Sequence, residues 1–183
     1  MGWDATYMDE APTTAERKKE LIYNLTYTND KFTSVALKAT MRGNTGFALQ
    51  EVTDNNTGKK QVFPVAMLTS YRDGQYMVKY VDPIIMYTNF PITWVDKVTP
   101  QGEEHAKQLV QWRDAIEDAT IQKKRLANLP EGSVINTKFY GELTLKIYGT
   151  KRYWVTFDKN GNVEGYIPTR RFGTHFNVVK ANR

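Results

Sequence analysis

His175 stands between Thr174 and Phe176, close behind Arg170 and Arg171. An imidazole that exchanges protons near neutral pH, beside two guanidinium groups able to hold a phosphodiester, outlines a metal-independent nuclease. The same residues read more readily as a surface or packing histidine with solubilising neighbours. The other histidine, His105, has only Glu104 near it at ligand spacing, because Gln108 and Leu109 follow. That is too little for a zinc or iron site. Asp114, Glu117 and Asp118 cluster, yet Asp114 and Asp118 at i,i+4 form a solvated helix pair rather than a magnesium site. No glycine-rich phosphate loop, no Gly-x-Ser-x-Gly and no two-carboxylate metal motif occurs. No cofactor and no metal are expected, and the chain reads more readily as a binding protein than as an enzyme.

The densest recognition chemistry is Lys151-Arg152-Tyr153-Trp154, joined by Tyr148, Tyr166, Arg170 and Arg171. Cations contact phosphates, and aromatic faces stack on unpaired bases, each stack worth about 1–3 kcal/mol. In the competing reading Trp154 and Tyr166 fill a core and the basic residues only solubilise. Charge placement bears on this choice. The net charge is +5, and residues 1–128 hold 16 Lys or Arg against 16 Asp or Glu, whereas residues 129–183 hold 9 against 4. All the excess is C-terminal, as expected for a polyanion-binding module, although idle surfaces also carry such an excess. Lys151, Arg152, Arg170 and Arg171 are expected to act together at one rim. Arg17, Lys18 and Lys19 are flanked by Glu16 and Glu20 and read as a solvated helix face.

Elements must hold these residues, and the longest with helical period is Glu103–Asn128. Ala106, Leu109, Val110, Trp112, Ile116 and Ala119 recur at three- and four-residue steps and define a buried face. Lys123, Lys124 and Arg125 read first as a complement to the negative end of that helix, and alternatively as a basic binding patch. Upstream, residues 2–8 alternate like a short strand, and Thr13 with Glu16 starts a helix over residues 15–25. Four strands are predicted at 32–42, 45–54, 60–70 and 75–81, joined by Gly-, Asn- and Asp-rich turns that favour antiparallel hairpins. Pro64 donates no ladder bond, so its strand must be a local edge or bulged there. The loop with Ile84, Ile85, Met86, Tyr87 and Phe90 is either pinned to a core or an exposed contact patch. Residues 91–98 read as a short helix.

After the turn Leu129-Pro130-Glu131-Gly132, short strands at 133–140, 143–149, 152–157, 163–167 and 174–179 suggest an SH3-like β-barrel, with Pro168-Thr169 and Gly173 forming a turn before the last. The expected fold is therefore α+β: an antiparallel four- to five-stranded sheet with helices over 1–128, then a small basic barrel over 129–183. An apolar share of 40% supports packed cores, and there is neither an 18-residue apolar run nor a charged apolar leader. Without such a run no membrane association is expected, and the lack of cysteine fits a reducing cytoplasm.

Met1-Gly2-Trp3, Ala66-Met67-Leu68-Thr69-Ser70, Thr99-Pro100, Trp112-Arg113, Leu129-Pro130-Glu131-Gly132-Ser133-Val134-Ile135 and Tyr166-Ile167-Pro168 occur in this order along nearly the whole chain. In these strings the sequence resembles a family of uncharacterised accessory proteins, similar in length, from phages and integrated mobile elements of Gram-positive bacteria. It departs from the family across residues 82–91, where relatives carry a tyrosine-rich stretch with a cysteine before proline. The family brings no catalytic residues to carry over. The resemblance implies an accessory gene of a mobile element, a group that includes inhibitors of CRISPR–Cas and restriction systems. The resulting expectation is a phage protein that acts in the cytoplasm of the infected host. It would inhibit a defence nucleoprotein, a Cas9-type effector, by binding protein, guide RNA or DNA. The alternatives are a nuclease using His175 on guide RNA or DNA, and a minor virion protein.

Overall fold

A computed structural model describes residues 2–84, 86–167 and 176–181. The chain divides into two compact units, Met1–Ile116 and Glu117–Arg183. In the first unit β1 (Asp4–Tyr7), α1 (Thr14–Leu25), β2 (Tyr27–Thr28), β3 (Phe32–Arg42), β4 (Thr45–Asp54), β5 (Lys60–Arg72), β6 (Gln75–Val81) and α2 (Ile92–Val95) precede α3 (Glu103–Asn128). The sheet has six antiparallel strands in the order β1-β6-β5-β4-β3-β2, more than the four or five expected. The difference lies at the margins. The added strand is the edge β2, short and exposed, so no apolar alternation marks Tyr27–Thr28; pairing of Tyr27 with Ser34 makes it a strand.

Both faces of this sheet are covered. Successive residues of β4 point to opposite sides. Ala48 faces α1 with Leu21, Leu25, Met67, Tyr76 and Val78, while Phe47 and Leu49 face Phe90, Val95, Leu109, Trp112 and Ile116. α1 begins at a full capping box: the Glu16 N–H donates to Thr13 Oγ1 at 3.2 Å, and the Thr13 N–H donates to Glu16 Oε2 at 2.8 Å. Gly46 lets the helix approach, because a Cβ there would lie 2.9 Å from Leu21 Cδ2 and 2.9 Å from Met41 Sδ. Arg17, read in sequence as solvated, instead donates to the Gly43 carbonyl, Asn44 Oδ1 and Thr69 Oγ1, pinning α1 to the β3–β4 turn.

Two local expectations are refined. Pro64 lies opposite Leu49 and beyond the end of β6, whose pairing with β5 starts at Ala66, so β5 is a local edge there and is not bulged. The bulge falls on β3 instead, where Leu37 is skipped between Ala36 and Lys38 and turns to solvent. Ile84 and Phe90 of the apolar loop are buried, and Trp112 Nε1 donates to the Tyr87 carbonyl at 3.0 Å, so those positions are pinned to the core. Met86 is exposed. Val110, placed on the buried face by its spacing, is also exposed, because Leu109 and Trp112 alone take that stretch of α3 inward.

The second unit holds the end of α3, then β7 (Val134–Thr137), β8 (Gly141–Tyr148), β9 (Lys151–Phe157), β10 (Val163–Ile167) and β11 (Phe176–Lys180). These form an antiparallel sheet in the order β10-β9-β8-β7-β11. Its core gathers Leu126, Leu129, Ile135, Leu143, Leu145, Trp154 and Phe176. Because Leu126 packs there, the unit boundary falls inside α3, upstream of residue 128. The turn expected from Pro168, Thr169 and Gly173 lies outside the described residues.

Candidate nucleic-acid interface

The β8–β9 hairpin sets the geometry of the site. Gly149, at φ 61°, occupies a left-handed conformation at the first of two turn residues. That turn fixes Tyr148 opposite Lys151, Lys146 opposite Tyr153, Leu145 opposite Trp154 and Thr144 opposite Val155. Residues opposite one another on antiparallel strands share a face. Tyr148, Lys151, Lys146 and Tyr153 therefore stand on one side, and Leu145 and Trp154 on the other. Trp154 is 3% exposed within the core, which removes it from the stacking constellation read in sequence. Its neighbour Tyr153 is the member that faces outward.

β10 completes the face. Tyr166 pairs with Val155 and so projects on the same side as Tyr153. The ring centroids of Tyr148 and Tyr153 are 5.7 Å apart, and those of Tyr153 and Tyr166 are 5.4 Å apart, inclined at 59° and 69°. Tyr148 and Tyr166 remain 51% and 56% exposed. Phe157, two positions on from Val155 along β9, is 40% exposed and lies under Lys146 Nζ at 5.9 Å. Tyr166 is thus surface and not core. Local desolvation raises the Tyr148 phenol above its ordinary range, helped by the adjacent Tyr166 phenol and by the negative charge of Glu131.

Arg152 behaves differently from the lysines. Arg152 Nη2 donates to the Leu129 carbonyl just beyond α3, so this guanidinium is committed to a backbone acceptor. Arg170, Arg171 and His175 lie outside the described residues. Neither the expected rim with Lys151 nor the nuclease trio is therefore part of this face as described. A second cation–aromatic pair, Lys138 Nζ at 5.7 Å from the Phe139 ring, sits between β7 and β8. With the boundary at Glu117, the second unit carries 12 Lys or Arg against 6 Asp or Glu, and the first 13 against 14.

Other sequence candidates have structural uses. His105 Nδ1 accepts the Gln101 N–H at 2.9 Å, closing the turn that leads into α3. Asp114, Glu117 and Asp118 are exposed on α3. Among the described residues, no group of three or more His, Cys, Asp or Glu gathers as a metal site, and no helix is long and apolar enough to cross a membrane. Sequence reasoning missed Lys146 and Phe157. The signal was present, since a two-residue turn at Gly149 and Thr150 places Lys146 beside Tyr153 by register alone. No family model matches the sequence, and no curated protein or solved structure matches it.

Proposed function

We propose that this chain is a non-enzymatic accessory protein of a phage or mobile element that inhibits a host defence nucleoprotein, a Cas9-type effector, by engaging its nucleic acid through the second unit. The observation that carries the reading is the tyrosine face, with Tyr148 and Tyr166 exposed, Tyr153 partly buried between them and Lys146 and Lys151 alongside, on a unit with 12 basic and 6 acidic residues. Aromatic faces interleaved with cations are the chemistry of phosphate-backbone and base binding. The mobile-element context is supported by the family resemblance alone, and it places the action in the cytoplasm of the infected host. We read the second unit as an SH3-like barrel, because the last strand returns to pair with the first of its meander. The first unit supplies a sheet covered on both faces.

A plasmid-interference assay with and without the gene tests this function. Restored transformation against at least one Cas9-type system is expected, with loss of rescue when Lys146 and Lys151 are neutralised together. Unchanged interference across several Cas9-type and restriction systems overturns it. The nuclease reading rests on His175, Arg170 and Arg171, and nothing in the described residues favours it.

A further inference from the structure

We infer that the outer face of the second unit binds an unpaired nucleic-acid strand, with bases stacked on Tyr148 and Tyr166 and Tyr153 serving as the ring that holds both in place. The inference rests on the nucleic-acid reading above and specifies the ligand.

The ring geometry selects bases over other partners. Tyr153 is partly buried and meets its neighbours at 59° and 69°, while Tyr148 and Tyr166 stay more than half exposed, so both outer rings keep aromatic surface open to solvent. Every base has a matching face only when unpaired and unstacked. A duplex hides those faces and offers this surface little beyond phosphate, whereas a single strand offers both.

The cations select backbone contact over sequence readout. Lys151 stands opposite Tyr148 and Lys146 opposite Tyr153, so point charges on flexible stems flank the rings. The guanidinium in this hairpin, Arg152, is turned to the Leu129 carbonyl. No described arginine fork on this face is then aimed at base edges, the device that would read sequence. Glu131, whose Oε1 accepts the Ile147 N–H at 3.0 Å, adds a negative charge near Tyr148 and moderates the attraction there. The expected ligand is a strand of either sugar, bound with little sequence preference.

The test is fluorescence anisotropy on the full chain at low salt, using labelled oligo-dT, oligo-rU and a duplex of equal length. Wild type is expected to bind both single strands within a few-fold of each other and tighter than duplex. Tyr148→Leu with Tyr166→Leu should weaken single-strand binding about 10-fold or more while duplex binding changes little. The double phenylalanine variant keeps the rings and should bind like wild type. Lys146→Gln with Lys151→Gln should weaken both ligands and flatten the salt dependence by about 0.7 log–log units for each phosphate of the single strand that is no longer neutralised. Circular dichroism checks that each variant is folded. Several results overturn the stacking inference: duplex binding as tight as single-strand binding, leucine variants that bind like wild type, or phenylalanine variants as weak as the leucine ones. Retained polyanion binding in those cases leaves the proposed function standing. Absence of binding to any of the three probes defeats both.

Discussion

Trp112 and Trp154 are core tryptophans, and the tyrosines next to Trp154 in the fold are not core residues. That contrast separates stability from function at the level of single side chains. Trp112 is fully buried, its ring centroid is 4.7 Å from that of Phe90, and its indole N–H satisfies the Tyr87 carbonyl. Trp112→Ala is expected to cost about 3–5 kcal/mol, chiefly through the cavity it leaves. Trp112→Phe retains most packing and should cost less, about 1–3 kcal/mol, because the part-buried Tyr87 carbonyl loses its donor. Urea midpoints check the order, and equal midpoints for Trp112→Ala and wild type would refute the packing. Trp154→Ala should likewise destabilise the second unit, whereas Tyr148→Leu should leave its unfolding midpoint nearly unchanged and alter only binding.

α1 illustrates what an element needs beyond its apolar stripe. The Thr13 backbone N–H, and then its hydroxyl, hold the Glu16 carboxyl below its ordinary value of 4.5. A carboxylate depressed in the folded state contributes fully above its unfolded value, and that contribution is lost as pH falls through the folded value. Asp54 and Asp158, which accept turn N–H groups in the β4–β5 and β9–β10 hairpins, are depressed from 3.8 in the same sense. The urea midpoint should therefore decline as pH drops from about 5 to about 3. Glu16→Gln can still accept the Thr13 N–H and should show a shallower decline; parallel curves would remove Glu16 from the effect. The packing of α1 on the sheet gives a second expectation. Gly46→Val pushes a side chain into Leu21 and Met41 and should cost about 1–3 kcal/mol by overpacking. An unchanged thermal midpoint would show that both neighbours move aside freely.

Across the whole molecule, each unit builds its own core, one set around Phe47 and Trp112 and the other around Ile135 and Trp154. Ile135→Ala should destabilise the second unit by about 2–5 kcal/mol and expose Trp154 at lower denaturant. Amide protection at Phe47 and Leu49, in the middle of the six-stranded sheet, should persist at that denaturant concentration. Simultaneous loss of both signals would contradict separate cores. Charge follows the same division, with the basic excess confined to the second unit, so the salt dependence of nucleic-acid binding should vanish on neutralising its lysines and persist when Arg17, Lys18 and Lys19 are changed.

The β3, β4 and β6 spans, the start of α1 and the antiparallel hairpins were legible in the sequence, because short-range chemistry governs them. Gly43, Gly74 and Gly149 sit where chain reversal needs positive φ, and Thr13 with Glu16 closes its own cap. Period two would have sorted the residues of β8 and β9 by side, although the constellation read in sequence groups the consecutive Tyr153 and Trp154 together. It could not tell which side is buried. That sign depends on where Leu126, Leu129 and Phe176 come to lie, and they arrive from the end of α3, the turn after it and β11, outside the hairpin. The same dependence on distant partners hid β2, which becomes a strand only through β3, and put Val110 on the surface of a helix whose stripe included it by spacing. Local propensity is a property of a few consecutive residues, whereas burial belongs to the assembled unit. The sequence determined the strands, caps and turns; only tertiary packing turned Trp154 inward and left Tyr148, Tyr153 and Tyr166 facing out as the candidate site.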